Sequence, residues 1–167
     1  RSPHEDELRR NFPMPPNQIS GSWTPLKDSY GTVTPSGLHY EVHHNGIPII
    51  DPTTYKLAIH GQVKEAKIFS LEDLMRFPSI TRPGFLECAG NGFTELKKPT
   101  MPDVQGTHGL TSNSEWTGVP LKTVLNEVGV EKGASWILAE GSDAGMMTRR
   151  IPLEKALDDA MLAYAQN

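Results

Sequence analysis

Apolar and polar positions alternate from Leu38 to His44 and again from Tyr55 to His60, the period-two signature of strands with one covered face. The pairs Asn45-Gly46 and Asp51-Pro52 between them supply turn chemistry. Ser70-Leu71-Glu72-Asp73 has the form of a capping box, and it predicts a short helix that carries Leu71, Leu74 and Met75 inward and ends before Pro78. The period changes at Ile80. From there to Cys88 the residues are apolar and aromatic with few helix formers, a strand that delivers Cys88 to Ala89-Gly90-Asn91-Gly92, whose glycines permit positive φ. Residues 94 to 114 show no period and read as loop, after which Pro120 to Leu125 opens a helix that Gly129 stops. Trp136 to Glu140 reads as a buried strand. Pro152 sits at a first helical position, with Leu153, Ala156 and Leu157 on one face, ahead of a strand-like stretch from Met161 to Tyr164. Residues 1 to 36 carry prolines at 3, 13, 15, 16, 25 and 35 and no apolar period, with room for one helical turn from Glu5 to Arg10. The division predicted is an extended Pro-rich arm over 1–36 and one α+β domain over 37–167, built of mixed sheets with short helices and without internal repeats.

Composition narrows the function classes. Fifteen glycines and 14 prolines in 167 residues favour short strands and long loops over a helical bundle. Sixteen Lys+Arg against 20 Asp+Glu leave a net charge of −4, which gives no electrostatic footprint for nucleic acid or an anionic membrane. The longest apolar runs, such as Ile47 to Ile50 and Trp136 to Ala139, fall far short of the roughly 20 residues that span a bilayer. The single cysteine, Cys88, excludes a disulfide within the chain, a multi-cysteine zinc or iron-sulfur site and covalent haem attachment. A start at Arg1 without Met and a stop at Asn167 directly after a strand-like stretch read as a fragment or a processed chain. A targeting segment, once removed, would leave the same picture.

Cys88 is the sharpest chemical feature, and three readings stay open on residues alone. It is a buried free thiol, the commonest fate of cysteine; a nucleophile, with His108 and Asn91 completing a Cys-His-Asn set; or a soft metal ligand. His43 and His44 are adjacent, so on a strand they face opposite ways and cannot both grip one metal ion. One reads as a surface histidine and the other as a donor to an anionic cofactor. Ser112, Asn113 and Ser114 before Trp116 offer hydroxyl and amide contacts to a ligand, or simply pack a polar loop. The Glu140-Gly141-Ser142-Asp143 turn and Arg149-Arg150 carry the same double reading.

The run Phe85-Leu86-Glu87-Cys88-Ala89-Gly90-Asn91-Gly92 resembles the cysteine motif of the sulfite oxidase family of molybdenum enzymes. Three further segments agree in order and spacing: Tyr40 to Pro48 with Asp51 to Leu57, Ser112 to Leu121, and Ile151 to Ala156. The resemblance covers roughly residues 36 to 167, and within the family the His43-His44 pair, Thr107-His108-Gly109 and the run Leu153 to Asp159 look most like sulfane dehydrogenases, the molybdenum subunits of bacterial sulfur oxidation.

The resemblance implies a sulfite-oxidase-type molybdopterin-binding fold, present here only in part and incomplete at the C-terminus. It implies a molybdenum-molybdopterin cofactor with Cys88 as the metal ligand, contacts to that cofactor from Tyr40, His43, His44 and Asp143, and Trp116 lining the substrate pocket. A thiolate suits such a role, because a high-valent molybdenum already held by a dithiolene accepts one more soft anion and keeps room for oxygen ligands. The activity implied is oxidation of sulfite or protein-bound sulfane sulfur by oxygen-atom transfer, with electrons passing to a c-type cytochrome subunit in the bacterial periplasm and an oligomeric full-length protein. The alternatives are a reductase of the same family, of the sulfoxide type, and a cofactor-free binding module. Two departures bear on substrate: Val42 and Phe93 stand where sulfite oxidases carry arginines that hold the sulfite anion.

Overall fold

The computed structural model describes residues 10–11, 20–96, 103–142 and 145–167, with the side chains of Arg10, Asn11 and Ser20 excepted. Among these residues the chain runs through β1 (Arg10–Asn11), β2 (Ser20–Trp23), β3 (Glu41–His43), β4 (Lys56–Ile59), β5 (Lys67–Ser70), α1 (Leu71–Met75) and β6 (Ile80–Glu87). It continues with α2 (Val104–His108), β7 (Thr111–Pro120), α3 (Leu121–Val128), β8 (Trp136–Glu140), β9 (Thr148–Pro152), α4 (Leu153–Asp158) and β10 (Met161–Gln166). The strands form small sheets in the orders β1-β2-β3, β10-β7-β6, β4-β5 and β8-β9. Small mixed sheets joined by short helices are the α+β class that the patterning predicts.

The chain divides into two compact units. The first comprises residues 1–47, 82–115 and 166–167. Within the stretch of the expected arm, β2 is the central strand of an antiparallel sheet, its Ser20 opposite His43 and its Ser22 opposite Glu41, with Arg10 of β1 opposite Trp23. The residues of the predicted helical turn lie outside the described residues except Arg10, which is in β1. Trp23 is buried against Gly109, where an added Cβ would stand 2.7 Å from the Trp23 Cβ, so only glycine allows the two segments to meet. Much else that is buried here is polar. Thr24 and Ser112 share a hydrogen bond of 2.6 Å between their hydroxyls, and Ser112 Oγ also accepts from the Tyr40 backbone N–H at 3.0 Å. Ser114 Oγ donates to the Thr34 carbonyl at 2.9 Å and accepts from Gln166 Nε2 at 3.0 Å. A hydroxyl buried without such a partner would cost on the order of 1–3 kcal/mol, so these pairings hold the first half of β7 in one register.

The second unit comprises residues 48–81 and 116–165. Its core is apolar: Phe69, Leu74, Val119, Val124 and Val128, with Tyr55, Leu57, Ile59, Val63, Phe77 and Leu162 packed around them. The capping box of α1 forms as predicted, with the Asp73 N–H donating to Ser70 Oγ at 3.1 Å and the Ser70 N–H donating to Asp73 Oδ2 at 2.9 Å. The helix buries Leu74, but Met75 faces solvent, because a single turn started by this cap gives only one position a full view of the core. Helix α3 presents Val124, Leu125 and Val128 inward and stops at Gly129, whose φ of +66° takes the left-handed cap conformation.

Two further expectations change. Residues 94 to 114, which read as loop, contain α2 and the start of β7. Helix α2 is capped by Asp103, whose Oδ1 accepts from the Gly106 N–H at 3.2 Å, so a one-turn helix forms without any apolar period to announce it. Strand β8 pairs with β9 from Trp136 opposite Pro152 to Glu140 opposite Thr148. It is not buried, since a two-stranded ribbon covers little of either face, and the exposed Trp136 is instead capped by the Arg150 guanidinium 5.1 Å from its ring centre.

Candidate functional site

Strand β6 ends at Glu87 and places Cys88 on the following turn, as the change of period predicts. The Cys88 N–H donates to the Leu110 carbonyl at 3.0 Å, which carries the strand pairing one residue past β6. The thiol is free and partly exposed, and the Gly90 N–H lies 3.4 Å from Sγ. Gly92, at φ +74°, folds the turn back so that its N–H reaches the Thr107 carbonyl at 2.9 Å. Any larger residue at Gly92 would be strained, and its Cβ would sit 3.3 Å from the His108 ring.

Tyr40 belongs beside this turn. Burial first, and then the nearby Cys88 and Glu87, raise the pKa of its phenol above the ordinary value. The phenol form is therefore favoured over the phenolate. Its ring stacks on His39, with centroids 5.0 Å apart, and its backbone is pinned by Ser112. Two of the residues singled out from the sequence, Tyr40 and Cys88, are thus brought together.

The other candidates are placed as follows. His43 lies on β3, half-buried, with Nε2 3.4 Å from Glu41 Oε2, and His44 follows the strand and is exposed. The two rings thus differ in exposure, His43 lying against Glu41 and His44 open to solvent. Trp116 is half-buried on β7, in the second unit. Asp143 lies outside the described residues. Ser112 and Ser114, read as ligand contacts or as packing, are buried and committed to the polar pairings of the first unit.

The Cys-His-Asn arrangement does not form. Both ends of the Asn91 amide are engaged elsewhere, Nδ2 donating to Glu87 Oε1 at 2.8 Å and Oδ1 accepting from the Leu110 N–H at 3.0 Å. The His108 ring faces Thr107 Oγ1 at 3.0 Å through Nδ1 and Glu95 Oε2 at 3.6 Å through Nε2. Sequence reasoning did not single out Thr94 and Thr111, whose hydroxyls are buried without a hydrogen-bond partner. Both follow the Cys88 turn in the chain, Thr94 in the 3-10 turn Phe93–Leu96 and Thr111 as the first residue of β7. Their place in a stretch without apolar period, interrupted by Pro and Gly, was the one available signal.

Residues 44–167 match the family described as the oxidoreductase molybdopterin binding domain. The chain belongs to this family, whose cofactor is molybdenum-molybdopterin, and it has the sulfite-oxidase-type fold. Nitrate reductase [NADPH] of Phytophthora infestans is 36% identical over 123 residues, 70% of this chain and 14% of that protein. Mitochondrial sulfite oxidase of Drosophila melanogaster is 32% identical over 143 residues, 80% of this chain and 25% of that protein. Among solved structures, the sulfane dehydrogenase SoxCD from Paracoccus pantotrophus matches with a TM-score of 0.90 and 37% identity, over 100% of this chain and 44% of that one. The chain therefore spans between 14% and 25% of the length of these curated relatives.

Proposed function

We propose that this chain is the cofactor-holding portion of a molybdenum-dependent oxidoreductase that oxidises protein-bound sulfane sulfur, or a small sulfur oxyanion such as sulfite, and passes electrons to a c-type cytochrome in the periplasm. The observation that carries the reading is the partly exposed Cys88 thiol, held at the end of β6 with Tyr40 beside it, in a chain that matches sulfane dehydrogenase over its whole length.

The donor chemistry fits the cofactor. Among the described residues no group of three or more His, Cys, Asp or Glu side chains gathers to hold a metal. A metal here would take Cys88 as its protein donor and its remaining donors from an organic ligand, the division of labour of a dithiolene site. The Tyr40 hydroxyl and the buried, unpartnered hydroxyls of Thr94 and Thr111 are further polar groups suited to such a ligand. In this reading Cys88 holds the metal, Tyr40, His43, His44 and Asp143 contact the cofactor, and Trp116 lines the substrate pocket. When bound, the cofactor supplies the metal that takes up electrons and handles the oxygen atom. The protein supplies Cys88 in a fixed orientation and a phenol that donates without ionising.

Val42 and Phe93 support the choice of substrate. A small dianion is held by charge-assisted hydrogen bonds, and removing one such donor from a desolvated site costs about 2–5 kcal/mol. With an aliphatic and an aromatic residue at these positions, a larger and less charged sulfur group fits better. The test is molybdenum analysis of the full-length protein from a host that makes the cofactor, with kcat/KM for sulfite, thiosulfate and a protein-bound persulfide, in the native enzyme and in Val42→Arg. Bound molybdenum and a preference for the persulfide are expected, with sulfite turnover raised by Val42→Arg. Protein without molybdenum refutes the reading. A native preference for sulfite that Val42→Arg does not improve refutes the substrate, and direct reduction of NAD without cytochrome refutes the acceptor.

A further inference from the structure

We infer that Asn91 is a positioning residue for Cys88, its side chain standing in for the missing next step of a β-ladder so that the thiol is aimed before any ligand arrives. The inference rests on Cys88 as the metal ligand of the proposed function. Four hydrogen bonds define the device. The Cys88 N–H donates to the Leu110 carbonyl at 3.0 Å, and a regular antiparallel pair would return the Leu110 N–H to a backbone carbonyl across from it. Here the chain has already turned away, and the Leu110 N–H goes to Asn91 Oδ1 at 3.0 Å. The Asn91 N–H donates to the Cys88 carbonyl at 2.8 Å, and Asn91 Nδ2 donates to Glu87 Oε1 at 2.8 Å.

Asn91 therefore ties the residue before Cys88, the carbonyl of Cys88 itself and the strand opposite. With the peptides on both sides of Cys88 fixed, the direction of its Cα–Cβ bond is fixed too. Chemistry assigns the orientation of the amide, because a flipped group would set an N–H against an N–H at Leu110 and an oxygen against the Glu87 carboxylate. No single replacement reproduces it. Aspartate keeps the acceptor for Leu110 but repels Glu87, and alanine loses both contacts. A group that orients a metal ligand through a hydrogen bond carries real affinity, and its loss typically costs about 10–100-fold in metal binding.

The test uses the full-length enzyme with Asn91→Ala, Asn91→Asp and, as a control that keeps an acceptor for Nδ2, Glu87→Gln. Two readouts besides turnover are taken: the molybdenum–sulfur distances from X-ray absorption of the loaded enzyme, and the rate of Cys88 alkylation by iodoacetamide in cofactor-free protein. Molybdenum retained per protein should fall about tenfold or more in Asn91→Ala. Asn91→Asp should fall between that variant and the native enzyme, with an altered sulfur shell. Alkylation of the cofactor-free variants should change in the same order, while Glu87→Gln stays near the native values. Native sulfur distances and a native alkylation rate in Asn91→Ala, with the Leu110 amide exchanging faster to show that its bond is gone, would overturn the inference. Should the native protein bind no molybdenum, the proposed function fails, and the alkylation series alone still decides whether Asn91 aims Cys88.

Discussion

Replacing Ser112 by alanine should destabilise the first unit by more than the loss of one surface hydroxyl would suggest. Ser112 is 3% exposed and Thr24 is 2% exposed. The substitution strands the Thr24 hydroxyl, now without the 2.6 Å partner, and the Tyr40 N–H, now without its acceptor. At about 1–3 kcal/mol for a fully buried orphan, and the low end of that range for the half-buried amide, Ser112→Ala should cost about 2–4 kcal/mol. Thr24→Val leaves Ser112 still accepting from Tyr40 and should cost about 1–2 kcal/mol. The double variant no longer buries an orphaned hydroxyl, so its cost should fall short of the sum by about 1 kcal/mol. Urea unfolding of the full-length protein gives the three costs, and hydrogen exchange at the Tyr40 amide gives the local one, where a loss of about tenfold in protection corresponds to 1.4 kcal/mol. Strict additivity of the two substitutions, or a cost for Ser112→Ala below about 0.5 kcal/mol, would refute the argument that these hydroxyls are obligate partners.

Three further outcomes are expected. Cys88→Ser should leave the fold in place, as judged by circular dichroism, while molybdenum is lost and turnover abolished, because a hard and weakly acidic hydroxyl replaces a soft anionic donor; a variant that keeps both metal and activity would rule out Cys88 as the ligand. The hydrogen bonds from the Ser70 side chain and backbone hold the Asp73 carboxyl below its ordinary pKa. Its support for α1 is therefore complete above the unfolded-state carboxyl pKa and disappears as pH falls through the lower folded-state value. The Ser70 amide resonance should titrate at that lower value, and Asp73→Asn should abolish the titration. Gly118→Ala should lower the melting temperature strongly, since its Cβ would stand 2.6 Å from the Ala163 Cα, backbone that cannot yield cheaply, and overpacking of this kind costs about 1–3 kcal/mol or more. An unchanged melting temperature would contradict the close approach of β7 and β10.

What the sequence disclosed was what local chemistry decides. The Ser70-Asp73 box, the stop at Gly129 and the arrival of Cys88 at the end of a strand each depend on residues a few positions apart, and each is found where it was expected. What it concealed depends on partners far along the chain. The hydroxyl of Ser112 bonds to Thr24, 88 positions away, and the Leu110 amide bonds to Asn91, 19 positions away. No periodicity encodes either pairing. Helix α2 was hidden for a different reason: with Gln105, Gly106 and Thr107 as its buried residues, it has no apolar face to detect. The apolar run Trp136, Ile137 and Leu138 suggests a buried strand, whereas the exposure of β8 is set by how much sheet surrounds it, which composition does not report.

The contrast between a hydroxyl-stitched first unit and an apolar second core reaches into the heat capacity of the protein. Exposing apolar surface raises heat capacity on unfolding and exposing polar surface lowers it, by about +0.45 and −0.26 cal/K/mol per Å². Melting the seam of Ser22, Thr24, Ser112 and Ser114 therefore adds little or even subtracts, while melting Phe69, Leu74, Val119, Val124 and Val128 adds fully. The first unit should accordingly have a flat stability curve and the second a sharply domed one. Cold, which weakens the hydrophobic drive, would loosen the apolar core and leave the turn that carries Cys88 comparatively untouched.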